Sequence, residues 1–256
     1  MTGKSVRMDI SDKVALVTLD RPPVNALNRE MRYELVATFD EISARDDIMC
    51  AVLTGHGSVF CAGADLKDRP NDDIPGDFLE HNRITRETGN AIRECAKPVI
   101  AAINGAALGA GMGLAAACDI LYASENATFG MPEINVGLAG GASMLKTLFG
   151  RSTIRRMFFS GDRLSAADLL RRNVLEDVLP PEELLPVTMD LARRIAAKAP
   201  LALVYAKRAT NMVDVMPQRD AYRFEQEFTM TLAKTEDARE ARMAFLEKRA
   251  PQFKGR

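Results

Sequence analysis

Tryptophan is absent from the 256 residues, histidine occurs twice (His56, His81) and cysteine four times (Cys50, Cys61, Cys95, Cys118). Two histidines leave few candidates for a histidine metal site or a histidine-dependent triad, and the cysteines show no CxxC spacing. No metal site is therefore expected. Neither sign of charge prevails: 34 Lys and Arg stand against 35 Asp and Glu, a net charge of −1. Such a balance provides no broad field to draw the chain to nucleic acid or to an anionic membrane, so neither is expected as a partner. Long apolar runs are missing as well. Residues 1–11 contain nothing like the apolar core of about 7–15 residues that marks a leader, and no stretch of about 20 apolar residues occurs. These absences predict a soluble protein in a reducing, cytoplasmic setting.

What is there is ordinary globular material, 47% hydrophobic and 27% charged, enough to bury a core without staples. At ~150 residues per domain the length leaves one large domain or two small ones open. Val14–Leu19, rich in β-branched residues and followed by Asp20-Arg21-Pro22-Pro23, predicts a strand ending in a turn. Asn28 is placed to cap a helix whose apolar stripe is Met31, Leu35, Phe39 and Ile42. Further strands are expected at 51–54, 99–103 and 120–123, and strands alternating with helices indicate an α/β arrangement with parallel pairing. Beyond about residue 140 strand signals vanish and amphipathic helices are expected to the end. One carries the stripe Leu184, Val187, Leu191 and Ile195; the last carries Ala238, Ala241 and Phe245. No internal repeat is visible, and the acidic segment 71–77 reads as a mobile surface loop.

Three stretches carry chemical interest. In Phe60-Cys61-Ala62-Gly63-Ala64-Asp65-Leu66-Lys67 the small residues let a ligand approach the backbone, although a tight turn leaving a strand explains them equally well. Gly105-Ala106-Ala107-Leu108-Gly109-Ala110-Gly111-Met112-Gly113-Leu114 follows a strand and leads into a helix expected at 114–118. Unpaired amides at such a junction suit an anion; close packing of helix on strand is the alternative. A dinucleotide fingerprint fails because residue 114 is Leu, and no Gly-Lys-Ser/Thr follows for a phosphate loop. The third stretch, Ala127–Gly137, sets Glu133 among Pro132, Ile134 and Val136. There a carboxyl could be raised toward neutrality for acid–base work, or could simply stand on a loop.

Taken together, the chain resembles the crotonase superfamily, the enoyl-CoA hydratase/isomerase family. The resemblance rests on Arg21–Leu27, Ala62–Lys67, the turn from Asn104 to Gly111, Cys118-Asp119-Ile120, Phe129–Glu133, Gly161-Asp162-Arg163 and Phe245–Arg249, in that order over essentially the whole length. It implies a β-β-α spiral core over 1–196 and a C-terminal helical trimerisation region over 197–256. It also implies an acyl-CoA substrate whose coenzyme A is the only cofactor-like group, and assembly as a homotrimer or dimer of trimers. Carried over by position, the amides of Ala64 and Ala110 form an oxyanion hole for a thioester enolate, and Glu133 is the acid/base. Ala110 stands where the family usually has Gly.

The same resemblance puts Val24, Ala62, Asp65, Leu66 and Lys67 along the coenzyme A. Gly109, Met112, Gly113 and Met131 fall beside the acyl group, with Leu138 and the 71–90 region, and Phe245 and Lys248 close from a neighbouring subunit. Asp65 more often braces its loop in the family. One position departs. Hydratases of this family carry a second glutamate where this chain has Gly113. A single carboxylate fits a 1,3-proton shift or a lyase-like reaction more directly than syn-hydration. A thioester-binding protein with impaired catalysis is the reading from outside the enzyme class.

Overall fold

The structure, a computed structural model, describes residues 4–256. Ten strands and ten α-helices are assigned among them. The strands are β1 (Val6–Ser11), β2 (Val14–Leu19), β3 (Cys50–Gly55), β4 (Val59–Cys61), β5 (Val99–Ile103), β6 (Ala106–Leu108), β7 (Ile120–Ser124), β8 (Thr128–Gly130), β9 (Arg163–Ser165) and β10 (Asp177–Leu179). They form two sheets, ordered β1-β2-β3-β5-β7-β10 and β4-β6-β8-β9. In the first sheet β2, β3, β5, β7 and β10 run parallel and β1 antiparallel. In the second, β4, β6 and β8 are parallel and β9 antiparallel.

The chain thus visits the first sheet, then the second, then a helix, and repeats. After β3 and β4 comes α2 (Asp77–Arg93); after β5 and β6, α3 (Ala110–Ala117); after β7 and β8, a 3-10 turn (Pro132–Val136) with α4 (Ala142–Leu145) and α5 (Arg151–Ser160). This is the expected β-β-α spiral. It has a direct consequence for function. Because β4, β6 and β8 are parallel neighbours, the loops leaving their C-terminal ends, 62–67, 109–110 and 131–133, emerge at one end of the small sheet.

Helix α1 (Arg29–Ala44) starts at Asn28, whose side chain accepts the Met31 N–H at 3.0 Å. Met31, Leu35, Phe39 and Ile42 are fully buried in the main core, as the spacing predicts. Covering the other face of the large sheet, α7 (Pro181–Ala196) buries the line Leu184, Thr188, Ala192 and Ala196. Val187, Leu191 and Ile195 pack only half-buried beside it, so the buried line is centred one residue from the expected stripe. Small Ala and Thr let the helix sit close to the strands. Helix α8 (Pro200–Val213) is fastened by an ion pair from the buried Lys207 Nζ to Asp119 at 2.6 Å and by Asn211 donating to the Arg93 carbonyl. Helices α9 (Gln218–Leu232) and α10 (Glu236–Glu247) complete the chain, after α6 (Ala166–Leu170) earlier in it.

Several expectations need correction. Helix α3 begins at Ala110 rather than at 114, taking the glycine-rich segment into its first turns. Packing overrides glycine's poor helix propensity here, since Gly111 lies against the Cys61 backbone. Strands do continue past 140, as the three-residue β9 and β10, too short to show a pattern. On α10 the expected face is the exposed one: Asp237 and Ala244 are buried, whereas Ala241 and Phe245 are exposed. The acidic segment 71–77 is exposed but tied down, with Asp77 pairing with Arg29 at 2.5 Å and accepting the Asn71 N–H at 2.7 Å.

Candidate active site

The site is built first from the loop after β4. Leu27 pairs with it, donating to Gly63 O at 2.8 Å and accepting from the Asp65 N–H at 2.9 Å. Strand geometry then turns the Ala64 N–H to the opposite side, on an exposed residue. Ala62, one step back, spends its N–H on Val24 O at 3.0 Å. Gly63 has φ +104°, and a Cβ there would meet Leu108 O at 2.8 Å and the Ala110 nitrogen at 3.6 Å. The loop therefore lies directly against the first amide of α3. As the first residue of a helix, Ala110 has no acceptor for its N–H within that helix. The Ala110 amide thus lies beside the loop that carries the Ala64 amide.

Glu133 comes from the third parallel strand. Pro132 opens the 3-10 turn and sets the following side chain back over α3. Its Oε1 lies 2.5 Å from where a Gly109 Cβ would stand, so only glycine leaves room for the carboxyl. Oε2 is buried without a hydrogen-bond partner. Desolvation pushes the Glu133 carboxyl above the usual range, a contact with its own backbone offsetting part of this.

One helical turn beyond this cap, inside α3, the arrangement changes. A Cβ on Gly113 would meet the Met144 Sδ at 2.8 Å. The place open beside Gly113 is filled by a thioether from α4. Met131 is buried beside the same group, its methyl 2.9 Å from where a Gly141 Cβ would lie. Met112 is fully buried in the main core, and Leu138 is half-buried.

Asp65 is otherwise engaged. It pairs with Arg21 at 2.7 Å and accepts the Lys67 N–H at 2.9 Å, and that backbone bond followed by Arg21 holds its carboxyl below the usual range. It braces the loop. Val24, Leu66 and Lys67 are exposed along the rim of this loop, with Ala62 half-buried between them. Phe245, 83% exposed, and Lys248, in the left-handed region at φ 54°, sit at the end of α10, joined to this cluster by no described hydrogen bond or ion pair.

Cys61, next to the amide loop, is no nucleophile, since burial pushes its thiol up to about 11. No group of three or more metal-type ligands occurs among the described residues. No helix among them is long and apolar enough to cross a membrane.

Two residues of consequence escaped the sequence reading. Buried Asn25 donates to the carbonyls of His56 and Val59 at 3.0 and 2.8 Å and accepts the Arg21 N–H at 3.0 Å, locking the strand end to the loop. Its sequence signal was its place in the Arg21–Leu27 block. Met144 had none.

The sequence model of the family Enoyl-CoA hydratase/isomerase matches residues 9–256. A protein named 2,3-dehydroadipyl-CoA hydratase, from Escherichia coli (strain K12), is 37% identical over 248 residues, 95% of this chain and 96% of its own. A protein of Mycobacterium tuberculosis (strain ATCC 25618 / H37Rv) named (7aS)-7a-methyl-1,5-dioxo-2,3,5,6,7,7a-hexahydro-1H-indene-carboxyl-CoA hydrolase is 36% identical over 235 residues, 92% of this chain and 95% of its own. The crystal structure of an enoyl-CoA hydratase from Bacillus anthracis superposes with a TM-score of 0.92 at 31% identity, covering 98% of this chain and all (100%) of that one. The chain belongs to the enoyl-CoA hydratase/isomerase family of the crotonase superfamily.

Proposed function

We propose that this protein acts on an acyl-CoA thioester by proton transfer through an enolate, with Ala64 and Ala110 as oxyanion donors and Glu133 as the single acid/base. One observation carries the reading. A desolvated, unpartnered carboxyl lies against the helix N-terminus that presents one of two adjacent free amides, while a thioether fills the place open to a second carboxyl. Removing a proton beside the thioester carbonyl leaves negative charge on its oxygen, where two preoriented N–H groups stabilise it. Losing one such donor typically costs ~2.7–4 kcal/mol of barrier. Glu133, now protonated, returns the proton two carbons along, and the double bond moves with no change in composition. Hydration would ask one carboxyl both to deprotonate water and to protonate the α carbon, because Met144 carries no proton.

Relatives named for CoA thioesters support the substrate class; their names span hydratase and hydrolase, so the reaction is read from this chain's own residues. Val24, Ala62 and Leu66 line the path of the coenzyme A, Lys67 meets a phosphate, and no further cofactor enters the reading. Exposed Phe245 and Leu246 on α10 and Phe159 on α5 favour a homotrimer or dimer of trimers. In that assembly Phe245 and Lys248 close over a neighbour's nucleotide. The spiral core, 1–196, and the helical tail, 197–256, divide the labour, and the setting is cytoplasmic.

The test is turnover of 2- and 3-enoyl-CoAs in deuterated water. Double-bond migration is expected, and deuterium enters at the α or γ carbon in the turnovers in which the Glu133 proton exchanges with solvent before its return. Water addition outpacing that exchange overturns the single-base reading. Carbon–carbon cleavage would instead make it a lyase or decarboxylase, and tight binding without exchange a thioester-binding protein.

A further inference from the structure

A second feature of the Gly113 region has no part in proton transfer. A cavity of about 260 Å³ opens at Gly113 between α2, α3 and α4, with Arg86, Asn90 and Arg93 on one wall and Ser143 and Met144 on the other. On α2 the spacing 86, 90, 93 defines one helical face, opposite Ile84, Thr88 and Ile92, which face the core. None of the residues lining the cavity is acidic. Among the described residues, neither guanidinium has a carboxylate within 4.0 Å. Arg93 also borders a neighbouring hollow that contains Asp119 and Asp214, but Asp119 is already held by Lys207.

From these observations we infer that the cavity is the subsite for the far end of the acyl chain, and that this end carries a carboxylate. The inference rests on the acyl-CoA reading above and deepens it. Gly109 caps α3 and its carbonyl accepts the Gly113 N–H at 3.1 Å, so Gly113 lies one helical turn further along, about 6 Å on the axis. A thioester oxygen at the Ala64 and Ala110 amides places the reacting carbons at Glu133, and the chain beyond them passes Gly113. The volume is below the ~300–1,000 Å³ of pockets that hold a whole ligand, and suits one end of a ligand. Two unpaired guanidiniums and an amide suit an anionic oxygen pair better than a methyl group, because arginine meets a carboxylate with two parallel bonds. At Gly113 the nearest group is the far end of Met144, and an unbranched thioether moves by rotamer change. The coenzyme A phosphates do not compete for this place, since the reading puts them on the outer rim with Lys67.

The experiment is calorimetric binding of two matched series of saturated acyl-CoAs, one ending in methyl and one in carboxylate. At the best-fitting length the carboxylate form binds at least ~10-fold tighter, the scale of one or two charge-assisted bonds. The preference falls to within about twofold on Arg86→Met with Arg93→Met, and is partly retained by Arg86→Lys. Arg83→Met, one turn before Arg86 and outside the cavity lining, keeps it. Equal or better binding of the methyl series by the parent protein overturns the inference, and so does a preference that survives both substitutions. Saturated thioesters have no double bond to migrate, so failure of the proton-transfer reading leaves this measurement intact. If neither series binds better than coenzyme A alone, the acyl-CoA reading itself falls, and this inference with it.

Discussion

Gly109 caps α3 and Gly113 lies one turn inside it, and each makes room for a side chain from elsewhere. At Gly109 the neighbour is the carboxyl of Glu133; at Gly113 it is the thioether of Met144. The backbone differs, a cap at φ +54° in one place and regular helix in the other. So does the element that faces it, the 3-10 turn after β8 in one case and α4 in the other. What leans over the helix therefore sets the chemistry at each place, and the thioether at Gly113 leaves the Glu133 carboxyl at Gly109 untouched.

Glu133→Gln breaks the comparison most completely, since it leaves neither place able to hold a transferable proton. The rate of proton exchange should fall by about 10²–10⁴ while acyl-CoA affinity changes little. Stopped-flow exchange beside equilibrium binding separates the two effects, and a variant that keeps full rate removes Glu133 from the mechanism. Gly109→Ala attacks the same half less directly. Its Cβ would fall 2.5 Å from the Glu133 carboxyl, on a backbone at φ +54° that alanine adopts poorly. Displacing the base by about 1 Å should cost on the order of 10² in kcat. Gly113→Ala, its counterpart, would press on a flexible Met144 and should cost far less, so equal losses at the two glycines would erase the distinction between them.

Building the missing half is the sharper experiment. Gly113→Glu alone overpacks Met144 and should destabilise by about 1–3 kcal/mol. Combined with Met144→Ala it places a second carboxyl opposite the first, and water addition should rise relative to double-bond migration by about tenfold, measured as product ratio. If the ratio stays fixed, the place beside Gly113 does not decide the reaction.

Much of this was legible from the chain. Val14–Leu19 and Val99–Ile103 are strands with the expected bounds because runs of β-branched and small apolar residues, bounded by turns, fit buried parallel strands. The two amide loops and Glu133 were singled out by the resemblance and not by the residues alone, since small residues fit a tight turn equally well and a lone acid can stand on a loop. Met144 was not. Its contact with Gly113 crosses thirty-one positions, and nothing local in Ala142–Leu145 points toward α3. The start of α3 was misplaced for a related reason: glycine's local preference opposes a helix, and only packing against Cys61 reveals why it forms there. The β-β-α repeat likewise left no trace as repeated sequence, being carried by direction and pairing of strands.

The smallest effect tests the electrostatic side of the same contrast. Met144 does not titrate; Glu133, desolvated beside Gly109, is held above the usual carboxylate range. Since the ionised form is the base, kcat/KM should decline as pH falls through that raised value, along a one-proton limb lying above the ordinary range for glutamate. Stability runs the other way. The folded state keeps the Glu133 proton to a higher pH than the unfolded chain does, so folding stability decreases as pH rises between the two values and stays reduced above them. Glu133→Gln removes this dependence. The variant should melt higher than the parent at neutral pH and together with it below the ordinary carboxylate range. An acid limb at the ordinary glutamate value, or a glutamine variant less stable than the parent at neutral pH, would show that the carboxyl is not desolvated and that the two glycine sites differ in shape alone.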